Sequence, residues 1–110
     1  MQVNPMSELF YEEYLKASEK FKQNAGEAGA AYAAWHTKAM GAGALDKKMK
    51  ELIALGAACA IMCEYCIDSH SQKAKAYGAT AQEIAEVIHV ATIVKAGSTI
   101  SYGVKALEHF

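Results

Sequence analysis

A single proline, Pro5, in 110 residues constrains the fold of this chain more than any other feature. Proline in a helix interior costs about 3 kcal/mol, because it lacks the N–H and clashes with the preceding turn. After position 5 nothing of that kind interrupts the sequence. Alanine, the strongest helix former, supplies about a fifth of the residues. The two together predict helix almost everywhere, with small side chains that let helices pack closely. The length fits one domain. The expectation is a single all-α domain over residues 1–110, built from about six helices, with no strand signal, repeat or linker.

Periodicity places the helices. In "SELFYEEYLKASEKF", Phe10, Tyr14, Ala17 and Phe21 recur at amphipathic spacing, and "NAGEAG" breaks the pattern. "EAGAAYAAWHTKAM" reads as a second helix ending in "GAGA". Asp46 is placed to cap a third, with Met49, Leu52, Ile53, Gly56 and Ala60 on one face. A fourth starts near Cys63 and stops at Gly78, a natural residue for the left-handed exit from a helix. Thr80 and Glu83 make a capping box for a fifth helix over residues 81–96. That helix carries an apolar stripe, Ile84, Val87, Ile88, Ala91 and Val94, which Val90 and Ile93 widen toward burial on more than one side. Gly97 is expected to end it, leaving "STISYGVKALEHF" as a final helix.

Charge excludes some functions. The net charge is −1, and the lysines are scattered apart from Lys47, Lys48 and Lys50, so no basic stripe suits nucleic acid. The N-terminus lacks the pattern of a secretory signal. The longest uncharged apolar run, residues 52–63, is too short to span a bilayer. These readings predict a cytoplasmic protein without membrane or nucleic-acid partners. Three cysteines, Cys59, Cys63 and Cys66, are an odd number and argue against a structural disulfide framework.

The stretch "IMCEYCIDSH" carries C-x-x-C-x-x-x-H. In one continuous helix Cys59, Cys63, Cys66 and His70 would share a sector of roughly 60°, but would span about 16 Å of axis. One zinc, with ligands at about 2–2.3 Å, cannot take all four. No second C-x-x-C or H-x-x-x-H completes a closed site. Redox chemistry needs less. A cysteine at a helix start lies near unpaired N–H groups and the positive dipole end, which favour thiolate. A first cysteine at the cap, outside the helix, also closes the gap to its partner. Cys63 and Cys66 are therefore expected to form a reversible disulfide. His70, one turn beyond Cys66, can take a thiol proton and return it. Cys59, in an apolar run, reads as core. His36, His89, His109, Met40, Met49, Met62, Tyr32 and Trp35 read as packing or surface residues. Cys63 is favoured for thiol exchange by the helix start, Cys66 for peroxide chemistry by His70.

Glu51-x(11)-Cys63-Glu64-Tyr65-Cys66-x(3)-His70 resembles the signature of the alkylhydroperoxidase D-like (AhpD-like) proteins of the carboxymuconolactone decarboxylase superfamily. The likeness extends through "LDKKMKELIAL" and "AYGATAQEIAEVI", over residues 45–96. It implies an AhpD-like helical bundle that assembles as homotrimers or homohexamers. It implies cysteine-based reduction of hydroperoxides or disulfides, with no metal or flavin cofactor and with a dithiol as electron donor. By position, Cys63 and Cys66 would be the redox pair, with Glu51 and His70 the proton relay. The best-known members carry a histidine just before the second cysteine, where this chain has Tyr65. A phenol of pKa about 10 is no base at neutral pH.

In one straight helix Glu51 would lie about 18 Å from Cys63. If the chain turns near Met62, Glu51 lies about 15 Å before the turn and His70 about 10 Å after it, so the two can face each other. Two other functions compete with the thiol peroxidase or disulfide reductase. One is a non-catalytic helical assembly with redox-sensing or metal-binding cysteines. The other is a decarboxylase-like enzyme.

Overall fold

A computed structural model describes the backbone of residues 5–110 and the side chains of residues 12–110. Phe10, expected on the apolar stripe of the first helix, lies outside the described side chains. Five α-helices follow one another: α1 (Pro5–Asn24), α2 (Gly26–Met40), α3 (Lys47–Ile61), α4 (Glu64–Ala76) and α5 (Ala81–Gly103). A 3-10 turn, Val104–His109, ends the chain, and no strand occurs among the described residues. The chain forms two compact units, Met1–Gly41 and Ala42–Phe110.

The first unit is the helix pair α1 and α2. The break between them is one residue, Ala25, followed by Gly26 at φ +63°, a left-handed conformation that glycine adopts without steric cost. On α2, the Tyr32 ring meets Trp35 edge-on, with centroids 6.3 Å apart.

In the second unit α3 is central, with α4 and α5 packed along it. Asp46 caps α3 by accepting from the Met49 N–H at 2.7 Å. At the other end Met62 takes a left-handed conformation, φ 58° and ψ 45°. Its N–H returns to the Cys59 carbonyl, and the Cys63 N–H to the Ala58 carbonyl. These bonds satisfy the carbonyls of the last turn and reverse the chain, so α4 runs back along α3. The cation of Lys47, at the start of α3, lies 5.8 Å from the Tyr77 ring centre at the end of α4. Gly78, at φ +94°, closes α4. Thr80 and Glu83 form the capping box of α5. A Lys48–Glu83 ion pair at 2.7 Å joins the starts of α3 and α5, and Lys95 reaches the Ala60 carbonyl near the end of α3. The two helices therefore run in the same direction.

Two expectations are corrected. The buried side of α3 is Glu51, Leu52, Leu55 and Ala58, while Met49 and Ile53 are 45% and 53% exposed. The helix has neighbours on two flanks, so its buried face is wider and rotated relative to a one-sided stripe. Gly97 does not end α5, which continues to Gly103. A lone helical glycine costs about 1 kcal/mol, too little to break a continuing hydrogen-bond ladder. Residues 98–103 thus belong to α5, and no sixth α-helix forms among the described residues. Apart from these, residues 81–109 are long and apolar enough to cross a membrane by length and composition alone. Glu83 and Lys95 nonetheless tie this segment to α3.

Candidate redox site

The site is assembled where α3 hands over to α4. Cys63 is the N-cap of α4, with extended backbone (φ −95°, ψ 101°), and its Sγ accepts from the Cys66 N–H at 3.3 Å. The Cα atoms of Cys63 and Cys66 are 5.3 Å apart, and the two side chains are joined as a disulfide. That separation suits a disulfide. Both cysteines are half-buried. Cys59 carries a free thiol and is half-buried, where full core burial was expected.

The reversal at Met62 also brings α3 and α4 side by side, and this builds the second half of the site. His70 Nδ1 lies 2.6 Å from Glu51 Oε2. The side chains are 18% and 6% exposed, so water competes little for the bond. A carboxylate only accepts, so Nδ1 donates this bond when Glu51 is ionised, and in a neutral ring Nε2 is then left as the acceptor. This tautomer follows from the hydrogen-bond network. His70 is four residues past Cys66 within α4, and the two share a helix face.

All four residues named by the sequence pattern therefore fall in one region. Cys63 and Cys66 bracket the start of α4, and Glu51 and His70 are joined across α3 and α4. Tyr65, between the cysteines, is half-buried. His36, His89 and His109 are exposed on other segments. Among the described residues no group of three or more His, Cys, Asp or Glu is placed to hold a metal ion. One neighbour escapes the sequence reading. Lys95 lies on the stripe of Ile84, Ile88 and Ala91, and its Nζ donates to the Ala60 carbonyl at 3.3 Å. A lone cation on an apolar face draws attention to Lys95, but nothing in the sequence marks its carbonyl partner.

Comparison with known proteins agrees with this architecture. The model of the Carboxymuconolactone decarboxylase family matches residues 26–109. A crystal structure of a carboxymuconolactone decarboxylase family protein from Legionella pneumophila superposes with a TM-score of 0.73 at 34% identity, over 88% of this chain and 87% of that one. A protein from Methanobacterium thermoautotrophicum superposes with a TM-score of 0.74 at 26% identity, over 78% of this chain and 97% of its own. An uncharacterised protein of the cox locus of Paracoccus denitrificans is 43% identical over 65 residues, which is 59% of each chain.

Proposed function

Because the chain belongs to the carboxymuconolactone decarboxylase family, which spans AhpD-like and decarboxylase-like proteins, we propose that it is a thiol-dependent reductase of hydroperoxides or disulfides. The observation that carries the reading is the largely shielded Glu51–His70 hydrogen bond beside a cysteine pair already able to close. A decarboxylase has no evident use for that pair.

In the reduced protein His70 Nε2 takes the Cys66 thiol proton, and Glu51 stabilises the imidazolium that results. The thiolate attacks the outer oxygen of a hydroperoxide. The O–O bond breaks, Cys66 becomes a sulfenic acid, and the leaving alkoxide takes the proton back from His70 as it departs as alcohol. Cys63 then attacks the sulfenic sulfur. Its own proton leaves with the displaced hydroxide as water, and the disulfide is formed. A dithiol donor restores both thiols through exchange at Cys63 and becomes a disulfide itself. A protein disulfide can stand in for the hydroperoxide, accepting the same two electrons. A reducing, cytoplasmic setting belongs to this proposal, since the cycle returns through a dithiol.

The proposal includes self-association as a homotrimer or homohexamer. Within its own unit α5 exposes Val90, Ile93, Val94, Ile100 and Tyr102, an apolar surface that a second copy can cover.

Thiol counting tests the chemistry. Reduced protein given one equivalent of an organic hydroperoxide should lose two thiols per chain and yield one equivalent of alcohol. Peptide maps should locate the new bond between Cys63 and Cys66. Unaltered thiols with turnover of a lactone acid would assign the chain to decarboxylase chemistry. Metal bound at the cysteines would assign it to the non-catalytic assembly.

A further inference from the structure

Two helix ends of opposite sign meet at the cysteine pair. The N-terminus of α4 lies under Cys63 and Cys66, and its positive end favours a thiolate. The C-terminus of α3 lies just before them, and its carbonyls disfavour one. The Ala58 and Cys59 carbonyls are engaged by the N–H groups of Cys63 and Met62, at 3.1 and 3.2 Å. The Ala60 carbonyl receives Lys95 Nζ from α5, at 3.3 Å. The ammonium thus sits at the negative end of α3, on the carbonyl of Ala60, a residue three positions before Cys63 and inside the turn that Cys63 closes. We propose that Lys95 is a positioning residue for the redox pair: its charge offsets the α3 carbonyls and so favours the thiolate in the reduced protein.

The inference rests on the redox reading above and deepens it. The other titratable groups of this region come from α3 and α4. They are Glu51 with His70, Glu64 and Asp68 near the start of α4, Tyr65, and the Cys59 thiol one turn earlier. Three of them are carboxyl groups and oppose a thiolate when ionised. From α5 the contribution is Lys95. Its side chain is exposed, so salt screens the effect, and the expected magnitude is that of a charge at an exposed helix end.

Alkylation of the reduced protein by iodoacetamide, read at each cysteine by mass spectrometry across pH, is the test. Lys95→Gln keeps a hydrogen-bond donor for Ala60 and loses the charge. Lys95→Arg keeps both, and Lys95→Met loses both. Gln and Met variants should react about two- to fivefold more slowly at pH 7 at the more reactive cysteine, with the pH profile displaced upward. The Arg variant should follow the wild type. A Gln variant with the wild-type profile would overturn the proposal, since the tether and not the charge would then matter. Should the Met variant lose helicity, the comparison of Gln with Arg still decides. No peroxide is used, so failure of the peroxidase reading, which appears as thiols unmoved by hydroperoxide, remains distinguishable from failure of this one.

Discussion

Glu51 is the one charged residue buried among the described side chains, at 4% exposure, and His70 is its partner. A buried carboxylate without a partner is costly, so the pair is structural as well as chemical. The two roles separate by substitution. His70→Ala should slow oxidation by hydroperoxide about 10²–10⁴-fold through loss of the base, and should destabilise the fold by about 3 kcal/mol by orphaning Glu51. His70→Asn places an amide N–H near the position of Nδ1 and is no base. It should recover most of the stability, read by denaturant melts, and none of the rate. Glu51→Gln should weaken the rate without abolishing it. Equal rates in folded His70→Asn and wild type would return His70 to a packing role. The cysteine pair and His70 were legible from spacing alone. Glu51 was legible only with the family pattern and a turn at Met62, because a glutamate between Lys50 and Leu52 carries no local sign of burial. Lys95 was not legible, since its partner is a backbone carbonyl 35 residues earlier, which no side-chain pattern marks.

At the scale of elements, α3 carries the second unit. Leu55, 2% exposed, is the largest fully buried side chain among the described residues, and Leu55→Ala should cost about 2–5 kcal/mol in a denaturation curve. A cost under 1 kcal/mol would mean that α3 is not the packing centre. The Lys48–Glu83 pair holds the starts of α3 and α5 together. The hydrogen bond from Lys48, followed by the Thr80 backbone N–H, keeps the Glu83 carboxyl below the usual glutamate range. A depressed carboxyl stabilises fully above its unfolded pKa of about 4.3 and loses that contribution as pH falls through the lower folded value. Acid melts of Glu83→Gln should therefore approach the wild type only as pH falls through that lower folded value and show a deficit at neutral pH that salt reduces. The helix starts at Asp46, Cys63 and Thr80 were legible because caps are local chemistry. The face of α3 was not, since it depends on two neighbours whose positions the sequence period does not contain. The end of α5 was misplaced because glycine punctuates a helix only where a left-handed turn follows, and at Gly97 none does.

For the whole molecule, the apolar surface of α5 is the feature a single chain leaves unresolved. Ile93 is 70% exposed on that helix, and Ile100 and Tyr102 extend the surface toward the C-terminus. Light scattering should give a trimer or hexamer at micromolar concentration, and Ile93→Glu should shift it toward smaller species. A stable wild-type monomer would contradict the assembly. The helical class was legible throughout, because proline and alanine act on the backbone everywhere at once. What covers α5 was not, since an apolar stripe records that burial is needed and not what provides it. The central claim is that hydroperoxide is reduced at Cys66 and that the dithiol donor restores both thiols through Cys63. It is tested most directly by steady turnover of an organic hydroperoxide with a dithiol donor, comparing wild type, Cys66→Ser and Cys59→Ser. The account predicts one alcohol per donor disulfide in the wild type and in Cys59→Ser, and no turnover in Cys66→Ser. Undiminished turnover in Cys66→Ser, or its loss in folded Cys59→Ser, would contradict it.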